Sequence, residues 1–328
     1  MSTIAGQRIN HRSVPAASRR RWLGTVSAAA IGAVASRLGL SCAQAAQLDL
    51  KNLPYIDAHS HVWSPDVERW PLANKQTKDD LKPLSFTPEE LLALAEPEGV
   101  GRVVLIQHSG YHLWDNSYLI DCARRFPGRF SLVGMIDDRG ENPAGKLREL
   151  LPRGVRGLRI TPRIHGEKWL EGPGMEALWK CGAETGQAMC CLIDVKELPR
   201  VAAMCQRHPD TPVVIDHFAR VGVDGTIREA DIVSLCSLAK NKRVSVKLSA
   251  YYALGKKQPP YDDLLPLIRR VIDAFGIERS MWASDAPYQV QPPNTYAASI
   301  AVIRDRLGLS AGDKEWLLTK TAEKVFFT

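Results

Sequence analysis

Two histidines separated by one serine, His59-Ser60-His61, follow a short apolar run that begins at Tyr55 and continues into Val62-Trp63. On an extended strand, side chains alternate between faces. The two imidazoles then point the same way, with Cα atoms about 6.6 Å apart at a rise of ~3.3 Å per residue. Such a pair can grip a metal ion or hold one substrate oxygen between its rings. A pair of partly exposed loop histidines has the same spacing, and two ligands do not complete a site. Partners must come from elsewhere in the chain. His108, Asp137, Asp194, His217 and Asp285 each close a short β-rich run of their own. Arg159 and Arg163 are spaced to clamp a substrate carboxylate in bidentate fashion, although a surface ion pair is the ordinary use of such residues. Lys247 lies in mid-strand, where a buried ammonium needs a partner, so a salt bridge inside the fold is expected. Tyr251, Tyr252 and Trp63 serve equally as pocket walls or as packing.

The elements that must position these residues repeat one theme. Eight β-rich runs are predicted: Tyr55 to His61, Gly101 to His108, Phe130 to Asp137, Val155 to Thr161, Ala188 to Asp194, Pro212 to His217, Val244 to Ser249 and Met281 to Asp285. Helix-length amphipathic stretches separate them: Pro88 to Ala95, Ser117 to Phe126, Met175 to Thr185, Leu198 to Arg207, Ile227 to Ala239 and Tyr261 to Phe275, with Ala311 to Phe327 last. Eightfold strand–helix alternation predicts parallel strands joined by right-handed crossovers, closed into a single α/β (β/α)₈ TIM barrel. An open doubly wound sheet is the competitor, but no glycine-rich phosphate loop follows the first strand. In a barrel, the C-terminal strand ends form one rim. His59, His61, His108, Asp137, Asp194, His217 and Asp285 would all stand on it.

The first 45 residues read as a twin-arginine export signal that is cleaved. Ser18-Arg19-Arg20-Arg21-Trp22-Leu23 supplies the basic start, Val26 to Ser36 the short apolar core, and Ala43-Gln44-Ala45 the small-residue cleavage site. The expected location is therefore periplasmic or secreted, with the export machinery as a transient partner and no stable membrane span. Residues 46–328 form the barrel domain. Six of the 43 basic residues and none of the 36 acidic ones lie in the first 45, which leaves 37 basic against 36 acidic. The basic isoelectric point thus belongs to the leader and gives no reason to expect nucleic acid. Cys122, Cys181, Cys190, Cys191, Cys205 and Cys236 remain, mostly amid apolar neighbours and without C-x-x-C spacing, and are expected to be buried thiols.

Four motifs, in order, carry a resemblance. Ile56-Asp57-Ala58-His59-Ser60-His61-Val62-Trp63, Val214-Ile215-Asp216-His217-Phe218-Ala219-Arg220, Lys247-Leu248-Ser249 and Ala283-Ser284-Asp285-Ala286-Pro287 resemble the amidohydrolase superfamily. Within it they are most similar to the amidohydrolase-2 branch, which includes sugar-acid lactonases and 2-pyrone-4,6-dicarboxylate lactonase. The resemblance runs from about Tyr55 to Phe327 and implies a hydrolase on a distorted barrel. It implies Asp285 and His217 as catalytic residues, Asp285 taking a proton from the attacking water. It further implies that His59, His61 and His217 hold either a divalent metal, with Asp285, or the substrate carbonyl. An aspartate beside imidazoles or a cation stays ionised yet hydrogen-bonds water well enough to act as a base.

The departures from the family pattern shape the expectation. Strand five ends Leu192-Ile193-Asp194, where metal-binding members usually have histidine, and strand four carries Arg156 and Arg159. A binuclear site is not expected. One Zn or Mn ion on His59, His61, Asp285 and His217, and metal-free catalysis, both stay open; Asp194 is either an oxygen ligand or a helix cap. His59, His61, His108, Arg159, Arg163 and Tyr251 form the expected substrate-binding set. The reaction this implies is opening of a lactone or related cyclic ester of a sugar or aromatic acid, the small-molecule substrate being a carboxylated lactone. A Zn-dependent decarboxylase of the same branch is the alternative. A barrel that binds a small acid without turnover is the third reading.

Overall fold

The computed structural model describes residues 52–328, so the expected export signal at 1–45 lies outside the described residues. Each of the eight β-rich runs forms a strand: β1 (Tyr55–Ser60), β2 (Val100–Ile106), β3 (Phe130–Gly134), β4 (Val155–Ile160), β5 (Ala188–Cys191), β6 (Val213–Ile215), β7 (Val244–Leu248) and β8 (Ser280–Trp282). They pair in sequential order, all parallel, from β1 to β8. Parallel pairing needs a crossover each time, and the helices supply it: α1 (Pro88–Ala95), α2 (Ser117–Arg125), α3 (Pro143–Leu150), the single turn α4 (Pro162–His165), α5 (Pro173–Thr185), α6 (Leu198–Arg207), α7 (Glu229–Cys236) and α8 (Leu265–Phe275). Three short helices follow β8: α9 (Tyr296–Ala301), α10 (Ala311–Glu315) and α11 (Thr321–Phe326).

The result is a nearly closed eight-stranded barrel, consistent with the (β/α)₈ expectation. β1 and β8 share no regular ladder. The chain just beyond β8 closes the rim instead: Asp285 N–H donates to His59 O and His61 N–H to Ala286 O, each at 2.8 Å. Asp57 rivets the same seam. Its buried carboxylate accepts from Ser284 N–H (2.8 Å), His59 N–H (3.0 Å) and the Tyr296 hydroxyl (2.9 Å). Closure therefore happens only at the end of the barrel where the histidines lie.

Inside the barrel, Ile56, Ala58, Val104, Ile106, Val133, Cys190, Val214 and Met281 form an apolar layer that is fully shielded from solvent. Phe326 of α11 enters the same cluster and plugs the opposite end. The expected closing helix from Ala311 to Phe327 forms and runs without interruption to Phe326, but its middle, Trp316–Lys320, is a wider turn with five-residue hydrogen-bond spacing. α3, α4 and α9 were not expected from the periodicity. α4 and α9 span only four and six residues, too few to show a helical period. The six cysteines are all free thiols, and none of them bridges to another. No helix among the described residues is long and apolar enough to cross a membrane.

Candidate active site

Strict alternation along β1 would turn His59 away from the interior, because Ile56 and Ala58 already face inward. The pairing with β2 shows why it does not. Asp57 is opposite Val103 and Ser60 opposite Leu105, so β1 carries one extra residue across this step. Such a bulge rotates the residues that follow it. His59 and His61 both enter the barrel mouth, with Nε2 atoms 3.4 Å apart. His61 donates Nδ1–H to Ile106 O at 2.9 Å, which leaves its Nε2 lone pair facing the other histidine.

The ends of β6, β7 and β8 leave strand geometry through left-handed backbone. His217, Phe218, Ala219 and Arg220 have φ values of 52, 54, 52 and 59°, Ala250 58° and Asp285 67°. Each non-glycine residue there costs roughly 1–2 kcal/mol, and a run of four is unusual. Packing holds it: Phe218 and Ala219 are fully buried, and His217 Nδ1 lies 2.8 Å from Ser249 Oγ at the end of β7. The turn thereby aims His217 and Arg220 into a cavity of about 340 Å³ whose wall also includes His61, His108, Arg159, Arg163, Tyr252, Asp285 and Tyr288.

Asp285 stands at the centre. Its Oδ1 lies 3.4 Å from His59 Nε2 and 3.5 Å from His61 Nε2; its Oδ2 accepts from the Tyr252 hydroxyl at 2.8 Å and is 3.7 Å from His217 Nε2. Burial raises its pKa above the usual carboxylate range, opposed by His217, Tyr252 and Arg159. Burial also lowers the pKa of all four histidines, His61 to about 3 with Arg159 adding to the effect, and His108 to about 2. The imidazoles are therefore neutral around neutral pH. His108 accepts from Tyr111 N–H through Nδ1 (3.0 Å), so its Nε2–H donates to Tyr288 (2.6 Å) and frees the Tyr288 hydroxyl proton for the cavity.

Beneath the rim lies a charged layer that the sequence only hinted at. Asp216 Oδ1 is 3.1 Å from Lys247 Nζ and 3.4 Å from His59 Nδ1, and its Oδ2 is 3.4 Å from Arg159 Nη2. Asp216 and Lys247 are completely buried. Burial alone would push the Asp216 carboxyl up, but Lys247, His59 and Arg159 outweigh it and hold the group well below the usual range. Lys247 thus finds the partner a mid-strand lysine requires. The missed signal was Asp216 itself, adjacent to His217 at a strand end. Tyr288, three residues beyond Asp285, left no signal of its own.

Three candidates are corrected. Tyr251 does not reach the cavity: its hydroxyl donates to Leu248 O at 2.9 Å and its ring is buried against Phe218 and Tyr261. The left-handed Ala250 starts a tight turn that sends consecutive side chains apart, and Tyr252 takes the cavity side. Asp194 neither joins the histidines nor caps a helix; it pairs with Arg220 Nη1 at 3.0 Å. Asp137, half exposed, lies outside the cavity and pairs with Arg139.

The donor set suits one divalent ion. His59 Nε2, His61 Nε2 and Asp285 Oδ1 are mutually 3.4–3.5 Å apart. A tetrahedral ion at 2.0–2.1 Å from each donor spaces them about 3.3–3.4 Å apart. His217 is not part of this triangle.

The amidohydrolase family profile matches residues 56–328. The chain belongs to the amidohydrolase family. This amidohydrolase is 31% identical to an L-fucono-1,5-lactonase of Burkholderia ambifaria, over 71% of this chain and 80% of the relative. It is 30% identical to a 4-sulfomuconolactone hydrolase of Rhizobium radiobacter, over 71% and 75%. A crystal structure of a candidate 2-pyrone-4,6-dicarboxylic acid hydrolase from Pseudomonas putida superposes with a TM-score of 0.71 at 26% identity, covering 84% of this chain and 98% of the other. Family and relatives together make the protein an enzyme, a hydrolase.

Proposed function

We propose that this amidohydrolase opens the ring of a carboxylated lactone derived from a sugar or aromatic acid. The observation that carries the reading is the buried Asp285 carboxylate, held by Tyr252 and ringed by three neutral histidines at the mouth of a cavity that also presents Arg163. In this reading, water on Asp285 attacks the carbonyl carbon and its proton passes to the carboxylate. The ring C–O bond then breaks, and the alkoxide leaving group takes the proton back. Asp285 has a raised pKa, which makes it a stronger base than an ordinary carboxylate.

The hydrogen-bond pattern reassigns the polarising groups. His61 Nε2 presents a lone pair, suited to accept or to ligate, and that of His59 Nε2 faces Arg159 Nη2 at 3.0 Å. The donors available to a developing oxyanion are the Tyr288 hydroxyl and His217 Nε2–H, whose Nδ1 can accept from Ser249. When bound, a Zn or Mn ion on His59, His61 and Asp285 would supply Lewis-acid polarisation and a more acidic water. Arg163 projects from the turn α4 into the cavity, and among the described residues its guanidinium has no side-chain partner. It is suited to the substrate carboxylate.

A pH-indicator screen over neutral and carboxylated lactones tests the reaction, because ring opening releases a proton. Asp285→Asn is expected to lower turnover by about 10²–10⁴, the range for removing a general base. Unchanged turnover would remove Asp285 from the mechanism. Export through the twin-arginine route is part of the same proposal. Changing Arg19 and Arg20 to lysine should retain the protein in the cytoplasm, and unchanged fractionation would exclude that route.

A further inference from the structure

Three acceptors converge at the barrel mouth: His59 Nε2, His61 Nε2 and Asp285 Oδ1, all buried and within 3.5 Å of one another. Acceptors do not gather in a dry site without a positive charge or a donor among them. The chain supplies one from β4. Arg159 Nη2 stands 3.0 Å from His59 Nε2, and the arginine is only 3% exposed. A guanidinium carries donors only, so this contact requires the single lone pair of His59 Nε2 to point at Arg159. The other ring nitrogen also meets a cation. On that side Lys247 Nζ, which also only donates, lies 3.3 Å from His59 Nδ1 and 3.1 Å from Asp216 Oδ1, so Arg159 makes the shorter of the two donor contacts to the ring.

A neutral imidazole nitrogen has one lone pair, and a metal ion needs the same one in the same plane. We propose that Arg159 occupies the metal-binding lone pair of His59 as a built-in cation, so that a divalent ion can enter the His59–His61–Asp285 triangle only when Arg159 withdraws. Two features make withdrawal feasible. Arg159 Nε is buried and lacks a hydrogen-bond partner, so the side chain is not fully satisfied where it lies. Arg159 also lines the substrate cavity, where an anionic group offers an alternative acceptor. Arg159 is a positioning residue in this account: it holds the His59 Nε2 lone pair and thereby decides whether the site works with or without metal. Arg159 and a metal ion compete for this nitrogen with or without substrate, so the competition holds whether or not the substrate is a lactone.

The test is a metal titration. Metal-stripped protein is titrated with Zn²⁺ against a coloured chelator, for wild type, Arg159→Met and Arg159→Gln. Both variants lose the charge and the competing guanidinium, and their different polarity guards against one failing to fold. Each should bind Zn²⁺ tighter than wild type by about tenfold or more, a factor that corresponds to ~1.4 kcal/mol. The gain should vanish when His61→Asn is added. Equal or weaker binding in the folded variants overturns the proposal, and so does a gain that survives His61→Asn. Zn²⁺-soaked crystals of the wild type give a second readout. Metal in the triangle with Arg159 Nη2 displaced from His59 Nε2 is the expected result; metal and guanidinium both bonded to that nitrogen would refute it.

Discussion

Tyr252→Phe isolates what holds Asp285. The tyrosine hydroxyl donates to Asp285 Oδ2 at 2.8 Å, and burial together with Asp285 pushes the phenol pKa up, so it remains a donor across the working range. A hydrogen bond to a charged group contributes about 1.5–3 kcal/mol. The pair lines an open cavity, where water can replace the lost donor, so the lower end applies and the carboxylate form should become about tenfold less favoured. The sign follows from the role. The base must be ionised, Tyr252 favours the ionised form, and activity disappears as pH falls through the folded-state pKa of Asp285. Without Tyr252 that pKa rises further, so the acidic limb of kcat/KM moves to higher pH. On this limb the variant should be about tenfold slower. On the alkaline plateau it should be equal or slightly faster, because a more basic carboxylate accepts a proton better. The assay is kcat/KM against pH for one lactone substrate. A uniform fall at every pH would show that Tyr252 contacts substrate rather than the base, and an unmoved limb would show that Asp285 is not the titrating group.

Lys247→Met should destabilise the fold by about 3–5 kcal/mol, because it removes the nearest countercharge of the fully buried Asp216 carboxylate. At roughly 2–4 °C per kcal/mol for a chain of this size, melting should fall by about 6–20 °C. Adding Asp216→Asn should recover part of the loss, and strict additivity in thermal unfolding would deny the pairing. Arg163→Met should raise KM for a carboxylated lactone by about tenfold to a hundredfold, the equivalent of one charge-assisted hydrogen bond, and leave a neutral lactone unaffected. Equal effects on the two substrates would remove Arg163 from carboxylate recognition.

The barrel was legible because its signal is redundant. Eight apolar runs recur at regular intervals, and the run Val100–Ile106 or Val155–Ile160 is strand-like on composition alone. What escaped were elements that no periodicity encodes: the proline-initiated turn at Pro162–His165, the wide turn at Trp316–Lys320 and the closure of β1 against the segment after β8. The last depends on Asp57, whose carboxylate bonds residues more than two hundred positions away. A sequence read in local windows has no access to such a contact.

The site was legible in part for a different reason. Alternation along an ideal strand correctly puts His59 and His61 on one face, but it puts them on the wrong one; the extra residue between Asp57 and Ser60 turns both inward. The same logic governs Tyr251 and Tyr252, where a left-handed alanine decides which of two adjacent tyrosines meets the cavity. Residue type tells what chemistry is available, while a few non-ideal backbone steps decide where it is delivered. Those steps are costly for non-glycine residues. They cluster at the ends of β1, β6, β7 and β8, where the base, three histidines and the tyrosine that holds the base converge. The regular part of the barrel can absorb that cost because its interior is a continuous apolar layer closed below by Phe326. A closely packed apolar layer in the barrel thus coexists with a strained and electrostatically crowded arrangement at its mouth.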